Sequence, residues 1–252
     1  MLNISVCSSF RDSMIWNNRL INQVGRFFSQ LNEQNLLGKA KINKIACVEG
    51  NSIDNTYESL LQYKDLNKHL NVNIIKEEST NRSVGSFTTK ERIGVLSRCK
   101  CLALDCIKDD CDYILCIESD LIIYDEFFLY HLLGAFDKID KLGIIAPIIT
   151  LDTIPIYFYD TWAFRDKNGQ KWNNYWVWNQ DYIDNVRYIE MTSIGSCSLI
   201  KADLIRNGCS FGDGDYPNMC KNIIDAGYKV YCDKRTNIFH PCSNNLINMR
   251  WT

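Results

Sequence analysis

The sequence lacks a basic excess. Lys and Arg number 28 against 30 Asp and Glu in 252 residues, a formal net charge of −2 with the basic residues spread along the chain. Nucleic-acid binders usually carry a clustered positive surplus, so no nucleic-acid partner is expected, and any phosphate bound is a small ligand held locally. Long apolar runs are also missing. No stretch approaches the roughly 18 residues of a membrane span, and "MLNISVCSSFRD" has neither the basic leader nor the apolar core of a signal segment. Twelve cysteines are present, but paired CxxC modules are not. Cys99 and Cys101 form only CxC, which argues against structural zinc. The expectation is a cytoplasmic protein with reduced thiols, many of them small core residues. Internal repeats, low-complexity tracts and linkers are absent as well. At 46% hydrophobic residues the chain is expected to form one domain with ample core.

Present instead is an alternation of strand and helix patterns. Residues 3–7 read as a strand, and Trp16, Leu20, Val24, Phe27 or Phe28 and Leu31 recur at helical spacing. "KINKIACVEG" is a second strand, followed by the turn-rich "NSIDNT" and a helix through Tyr57, Leu60, Leu61 and Lys64. "VNIIKEE" is a third strand. After a polar loop over 79–89, Ile93, Leu96, Cys99, Ala103 and Cys106 step by three and four into the strand "DYILCIESD". This order predicts an α/β fold with a mostly parallel central sheet flanked by helices. From 148 to 188 the chain is aromatic and irregular, with Tyr157, Phe158, Tyr159, Trp162, Phe164, Trp172, Tyr175, Trp176 and Trp178. Then come "SIGSCSLIKADLI", a strand entering a helix, the loop "FGDGDY", a helix over about 217–226 and the strand "KVYCD".

Ligands of parallel α/β sheets bind beyond the carboxyl ends of the strands, which directs attention to "SSFRD", "EGNSIDNT" and "ESD". Each is polar and each carries a carboxylate. Glu118 and Asp120 are two residues apart, so in extended chain they point the same way, and oxygen ligands so arranged suit Mg²⁺ or Mn²⁺. Capping of the next helix, or pairing with Arg92 or Arg98, is the alternative use of the same two acids.

With these residues in place, the order of segments resembles the GT-A, metal-dependent, nucleotide-sugar glycosyltransferases, whose Asp-x-Asp motif follows the fourth strand. "EGNSIDNT" is similar to that superfamily's "EGxSxDxT" turn, which implies that Asp54 sits near the nucleotide base or ribose. "RIGVLSRCKCLALD" resembles the helix before the metal motif, with Arg98 as a diphosphate contact. "ESD" departs from Asp-x-Asp but keeps Asp120, while Glu118 is expected at the ribose or bound through water. "YFYDTWAFRD" is similar to the "YDTWxxRD" block of the fungal capsule-type mannosyltransferases and to a segment of the mannan-polymerase subunits. The resemblance implies a single Rossmann-like GT-A domain over 1–252, with a nucleotide-binding half (1–123), an acceptor-binding half (124–252) and an aromatic insertion on the acceptor side.

The implied donor site comprises Ser8, Phe10, Arg11, Glu49, Asp54, Arg92, Arg98, Glu118, Ser119 and Asp120. Sugar rings stack on aromatic faces while Asp and Arg bond their hydroxyls, so Tyr159, Asp160, Trp162 and Arg165 form the sugar and acceptor set; Phe158 and Phe164 are expected in the core. Asp213 and Asp215, in the Gly-Asp loop, are the catalytic candidates, either as general base or as sugar-orienting acids. The resemblance places His240 in the metal shell with Asp120, where a neutral imidazole suits Mn²⁺. Arg11 and Lys234 are further cations for the diphosphate, and His69 and His131 are expected at the surface. The implied function is transfer of a sugar from GDP-mannose or a UDP-sugar to a glycan hydroxyl. A non-catalytic carbohydrate-binding domain remains an alternative. So does a nucleotidyltransferase that makes the nucleotide sugar, although "SSFRDS" lacks the Gly-rich, basic loop such enzymes carry.

Overall fold

The computed structural model describes residues 1–14, 22–77, 89–174 and 186–241. Trp16, Leu20, Tyr175, Trp176, Trp178 and nearly all of the polar loop 79–89 fall outside the described residues. The first half alternates as expected: β1 (Leu2–Phe10), α1 (Gln23–Asn32), β2 (Ala40–Glu49), α2 (Thr56–Leu66), β3 (Asn71–Lys76), α3 (Lys90–Ile107) and β4 (Tyr113–Ile117). The second half contributes α4 (Phe128–Phe136), β5 (Leu142–Leu151), β6 (Arg165–Asp166), β7 (Tyr188–Ser193), β8 (Cys197–Lys201), α5 (Ala202–Arg206), α6 (Asp215–Asp225) and β9 (Lys229–His240).

The nine strands among the described residues join one sheet in the order β3-β2-β1-β4-β8-β5-β9-β7-β6. Pairing from β3 to β4 is parallel. β8 then runs antiparallel to both β4 and β5, β9 is parallel to β5, and β7 is antiparallel to β9. The carboxyl ends of β1, β2, β4, β5 and β9 therefore face the same way, and the loops singled out in the sequence as candidates collect at that edge.

The segment from 148 onward is less irregular than its composition suggests. β5 continues through Leu151 with every residue buried, because "LGIIAPIITL" is the unbroken apolar run of a strand covered on both faces. Pro147, which cannot donate to a ladder, is accommodated where the register with β9 shifts. At that shift Pro147 faces Asp233 and Ile148 faces Asn237, so 234–236 bulge out of β9. β9 thus runs well past the expected "KVYCD" to His240. Phe158, Phe164 and Trp172 pack edge-on or tilted at centroid distances of 5.1–5.4 Å and are buried, which puts Phe158 and Phe164 in the core as expected.

Candidate functional site

β4 delivers the chain to the site through a tight turn. The Glu118 amide donates to Ser196 O at 2.9 Å and the Leu121 amide to Glu118 O at 3.2 Å. α1 braces the loop that follows: Arg26 Nη2 donates to Asp120 O at 3.2 Å, and Gln30 donates to Leu121 O and accepts from the Ile123 amide. Asp120 Oδ2 lies 3.1 Å from His240 Nε2, at the end of β9. The Tyr159 ring stacks on the imidazole, with centroids 3.8 Å apart and planes 12° from parallel.

Burial pushes the Asp120 carboxyl upward, but the charge and hydrogen bond of His240, with help from Arg26, outweigh it and leave the group below its ordinary value. Asp120 Oδ1 is buried and receives no hydrogen bond from another described residue. A buried carboxylate oxygen in that condition is costly, and a cation would relieve it. Carboxylate oxygen and imidazole together suit Mn²⁺. Among the described residues no cluster of three or more His, Cys, Asp and Glu forms a ready-made cage. An ion held by Asp120 and His240 alone would have to complete its shell with ligand oxygens and water.

Beside this pair lies a second group of acids. Lys100, on α3, is buried and donates to both carboxylate oxygens of Asp215 at 2.8 and 2.9 Å, while its ammonium stands 3.6 Å from Glu118 Oε1. Burial pushes the ammonium down, yet Asp215 and Glu118 outweigh it and hold Lys100 above its ordinary value. Burial lifts Glu118 to about 8; Lys100 pulls it back, and Asp120, Asp160 and Asp215 add to the rise. Asp160 is also raised by burial, despite accepting from Ser196 Oγ at 2.6 Å and the Ala163 amide at 3.2 Å. Gly195 makes room for it: a Cβ there would overlap Asp160 Oδ2 and Ala163 Cβ. Ser196 (φ 53°) and Asp215 (φ 55°) both hold left-handed backbone, which a non-glycine residue adopts only at a cost.

The remaining candidates are distributed less simply. Phe10 is a correction: it is 1% exposed and packs edge-on against Phe27 at 5.1 Å, so it is core and offers no face to a donor. Ser8 is likewise buried. Glu49 and Asp54 shape the loop pair after β1 and β2, accepting from the Ser52 amide and from the amides of Met14 and Thr56. Arg11 and Asp54 are half-buried at that edge. Ser119 is buried within the "ESD" turn. The Arg92 amide is capped by Thr89 Oγ1 in the first turn of α3, and Arg98 pairs with Glu77 at 3.1 Å. Arg98 and Asp213 both line a cleft of about 510 Å³ along α3. Asp213 is exposed, unlike Asp215. Arg165 donates to the carbonyls of Trp162 and Phe164, bracing its own loop, and Trp162 is half-buried. Lys234 is buried in the β9 bulge.

Sequence reasoning overlooked Lys100, Ser196, Arg26 and Gln30. For Lys100 a signal existed: it lies three residues from Ser97 and Ala103 and four from Leu104, all buried, so a charge sits on the inward stripe of α3. The Ser196 contact depends on a long-range approach to Asp160 and had no local signal.

The model of the family described as Cryptococcal mannosyltransferase 1 matches residues 10–197. That segment includes Asp120, Asp160 and Ser196 and stops before Asp215 and His240. Among solved structures, GalNAc-T7 with UDP, GalNAc and Mn²⁺ superposes with a TM-score of 0.64 at 14% identity, over 96% of this chain and 43% of that one. The mannosyltransferase PcManGT from Pyrobaculum calidifontis, in complex with GDP-Man and Mn²⁺, gives a TM-score of 0.55 at 11% identity, over 94% of this chain and 56% of that one. This chain therefore spans about half the length of these structures. No curated protein matches it in sequence.

Proposed function

This chain belongs to the Cryptococcal mannosyltransferase 1 family and has the GT-A fold, and on that premise we propose that it transfers a sugar from a nucleotide-diphosphate donor, GDP-mannose or a UDP-sugar, to a hydroxyl of a glycan acceptor. The observation that carries this reading is the meeting of Asp120 and His240, 120 residues apart in sequence and 3.1 Å apart in space, with Asp120 Oδ1 buried beside them. Asp120 and His240 would be the protein ligands of Mn²⁺ or Mg²⁺ on the donor diphosphate. Both solved relatives were obtained with Mn²⁺ and a nucleotide or nucleotide sugar, which supports the same choice here. When bound, the ion would neutralise charge on the departing diphosphate.

The chain's own groups would do the rest. Arg26 and Gln30 keep the Asp120 loop in place, and Tyr159 fixes the plane of the imidazole by stacking. Glu118 and Asp160 would accept hydrogen bonds from hydroxyls of the transferred sugar. Glu118, lifted to about 8, would with Asp160 and Asp215 nearby favour, once ionised, the positive charge that develops on a sugar ring as its bond to the diphosphate breaks. Trp162, two residues from Asp160 and half-buried, would stack on a glycan ring. Asp213, exposed at the rim, is open to an acceptor hydroxyl in a way that Asp215, committed to Lys100, is not.

The test is release of free nucleotide from GDP-mannose and a panel of UDP-sugars, with and without Mn²⁺. One donor should be hydrolysed slowly, and chelator, Asp120→Ala and His240→Ala should each reduce the rate at least 100-fold while circular dichroism stays native. Nucleotide binding with no turnover of any donor, even with glycan acceptors added, would point to a carbohydrate-binding domain. Unchanged Mn²⁺ affinity in either variant would remove that residue from the shell.

A further inference from the structure

Lys100 is an expensive residue to keep. It is 6% exposed, and taking an ammonium and a carboxylate out of water costs enough that a well-packed apolar pair is often as stable. Its partner Asp215 also holds left-handed backbone (φ 55°). Stability alone is a poor reason for this arrangement, and its place suggests another. The Tyr216 and Phe211 rings stand 4.5 and 5.5 Å from the ammonium. Two of its three protons are taken by Asp215, leaving the third for the direction of Glu118, whose side chain is 28% exposed and opens the pair toward the site.

We propose that Lys100 is a positioning residue of the donor-sugar pocket. By clamping Asp215 through both oxygens and drawing Glu118 toward itself, it sets where the Glu118 carboxylate stands relative to Asp120. This rests on the glycosyltransferase reading above and assigns Asp215 a supporting part: its oxygens answer Lys100, so it does not take the acceptor proton. The clamp ties α3 to the start of α6, and thus the helix before the metal motif to the acidic loop more than 100 residues later.

The experiment uses the full chain as Lys100→Met, Lys100→Arg, Asp215→Asn and the double variant Lys100→Met/Asp215→Asn. Thermal midpoint, affinity for GDP and UDP with Mn²⁺, and kcat and KM for hydrolysis of GDP-mannose and UDP-GalNAc are measured for each. Lys100→Met should lower the midpoint, and the double variant should restore most of it because neither charge is left alone. In both, kcat should fall at least 10-fold while nucleoside diphosphate affinity stays within about 2-fold, as expected if the clamp acts through Glu118 on the sugar. Lys100→Arg should recover part of kcat. A double variant with wild-type kcat, or a loss of kcat no larger than the loss of folded protein, would overturn the proposal and leave the glycosyltransferase reading standing. A wild-type protein that neither binds these nucleotides with Mn²⁺ nor hydrolyses a donor would overturn both.

Discussion

Ser196 couples two costs in one residue. Its hydroxyl donates to Asp160 Oδ2 at 2.6 Å, and its backbone sits at φ 53°. Ser196→Ala removes the bond and keeps the strain, and should destabilise by about 2 kcal/mol, the cost of a buried acceptor losing its donor. Ser196→Gly removes both, and should be less damaging by about 1 kcal/mol. Urea titration of the two variants checks this ordering, and equal losses would show that the left-handed turn stores no strain. Asp160 itself makes stability depend on pH. Because burial raises its folded value above the ordinary aspartate value of about 3.9, the native state binds more protons than the unfolded chain between those two values. Stability contributed by Asp160 is therefore largest below about pH 3.9 and is lost as pH rises through the folded value. In Asp160→Asn the fall across that window should flatten; an unchanged slope would assign the dependence to another group.

Among the elements, β9 does most to build the site. Its three-residue bulge lets Leu151 pair with His240, whereas an uninterrupted register from Pro147–Asp233 would set Leu151 against Asn237. The bulge is held by Asp233, which is fully buried and accepts from Arg187 at 2.7–3.1 Å, from Thr236 Oγ1 at 2.8 Å and from the Arg235 amide at 3.1 Å. Arg187→Ala should cost about 3 kcal/mol, the low end for breaking a buried pair, because Arg187 keeps a quarter of its side chain in solvent. The same variant should weaken Mn²⁺ binding if the register relaxes. An unaltered denaturation midpoint would mean that Thr236 and the Arg235 amide are enough to hold Asp233. α3 is the other versatile element: one face carries Lys100 into the site, and another lines the cleft with Arg98.

At the scale of the molecule, the parallel half was legible because its helices step by three and four and its short apolar strands are bounded by polar, turn-rich loops. β5 was not, since a strand buried on both faces has no alternation, and the long β9 was not, since a bulge interrupts its pattern. The same divide runs through the site. Asp120 could be nominated from its place behind a strand, and His240 from a family resemblance, but their contact depends on a register set elsewhere in the sheet. Phe10 could not be declined on alternation either, because residues 4–8 of β1 are buried on both faces.

The separation of Asp120 from His240 by 120 positions also sets a clock. At about 5–20 residues per second, roughly 6–24 s of synthesis pass between the two. Until then a growing chain carries Asp120 without His240. On the glycosyltransferase reading proposed above, a half-made copy would hold only one member of the Asp120–His240 pair until β9 docks.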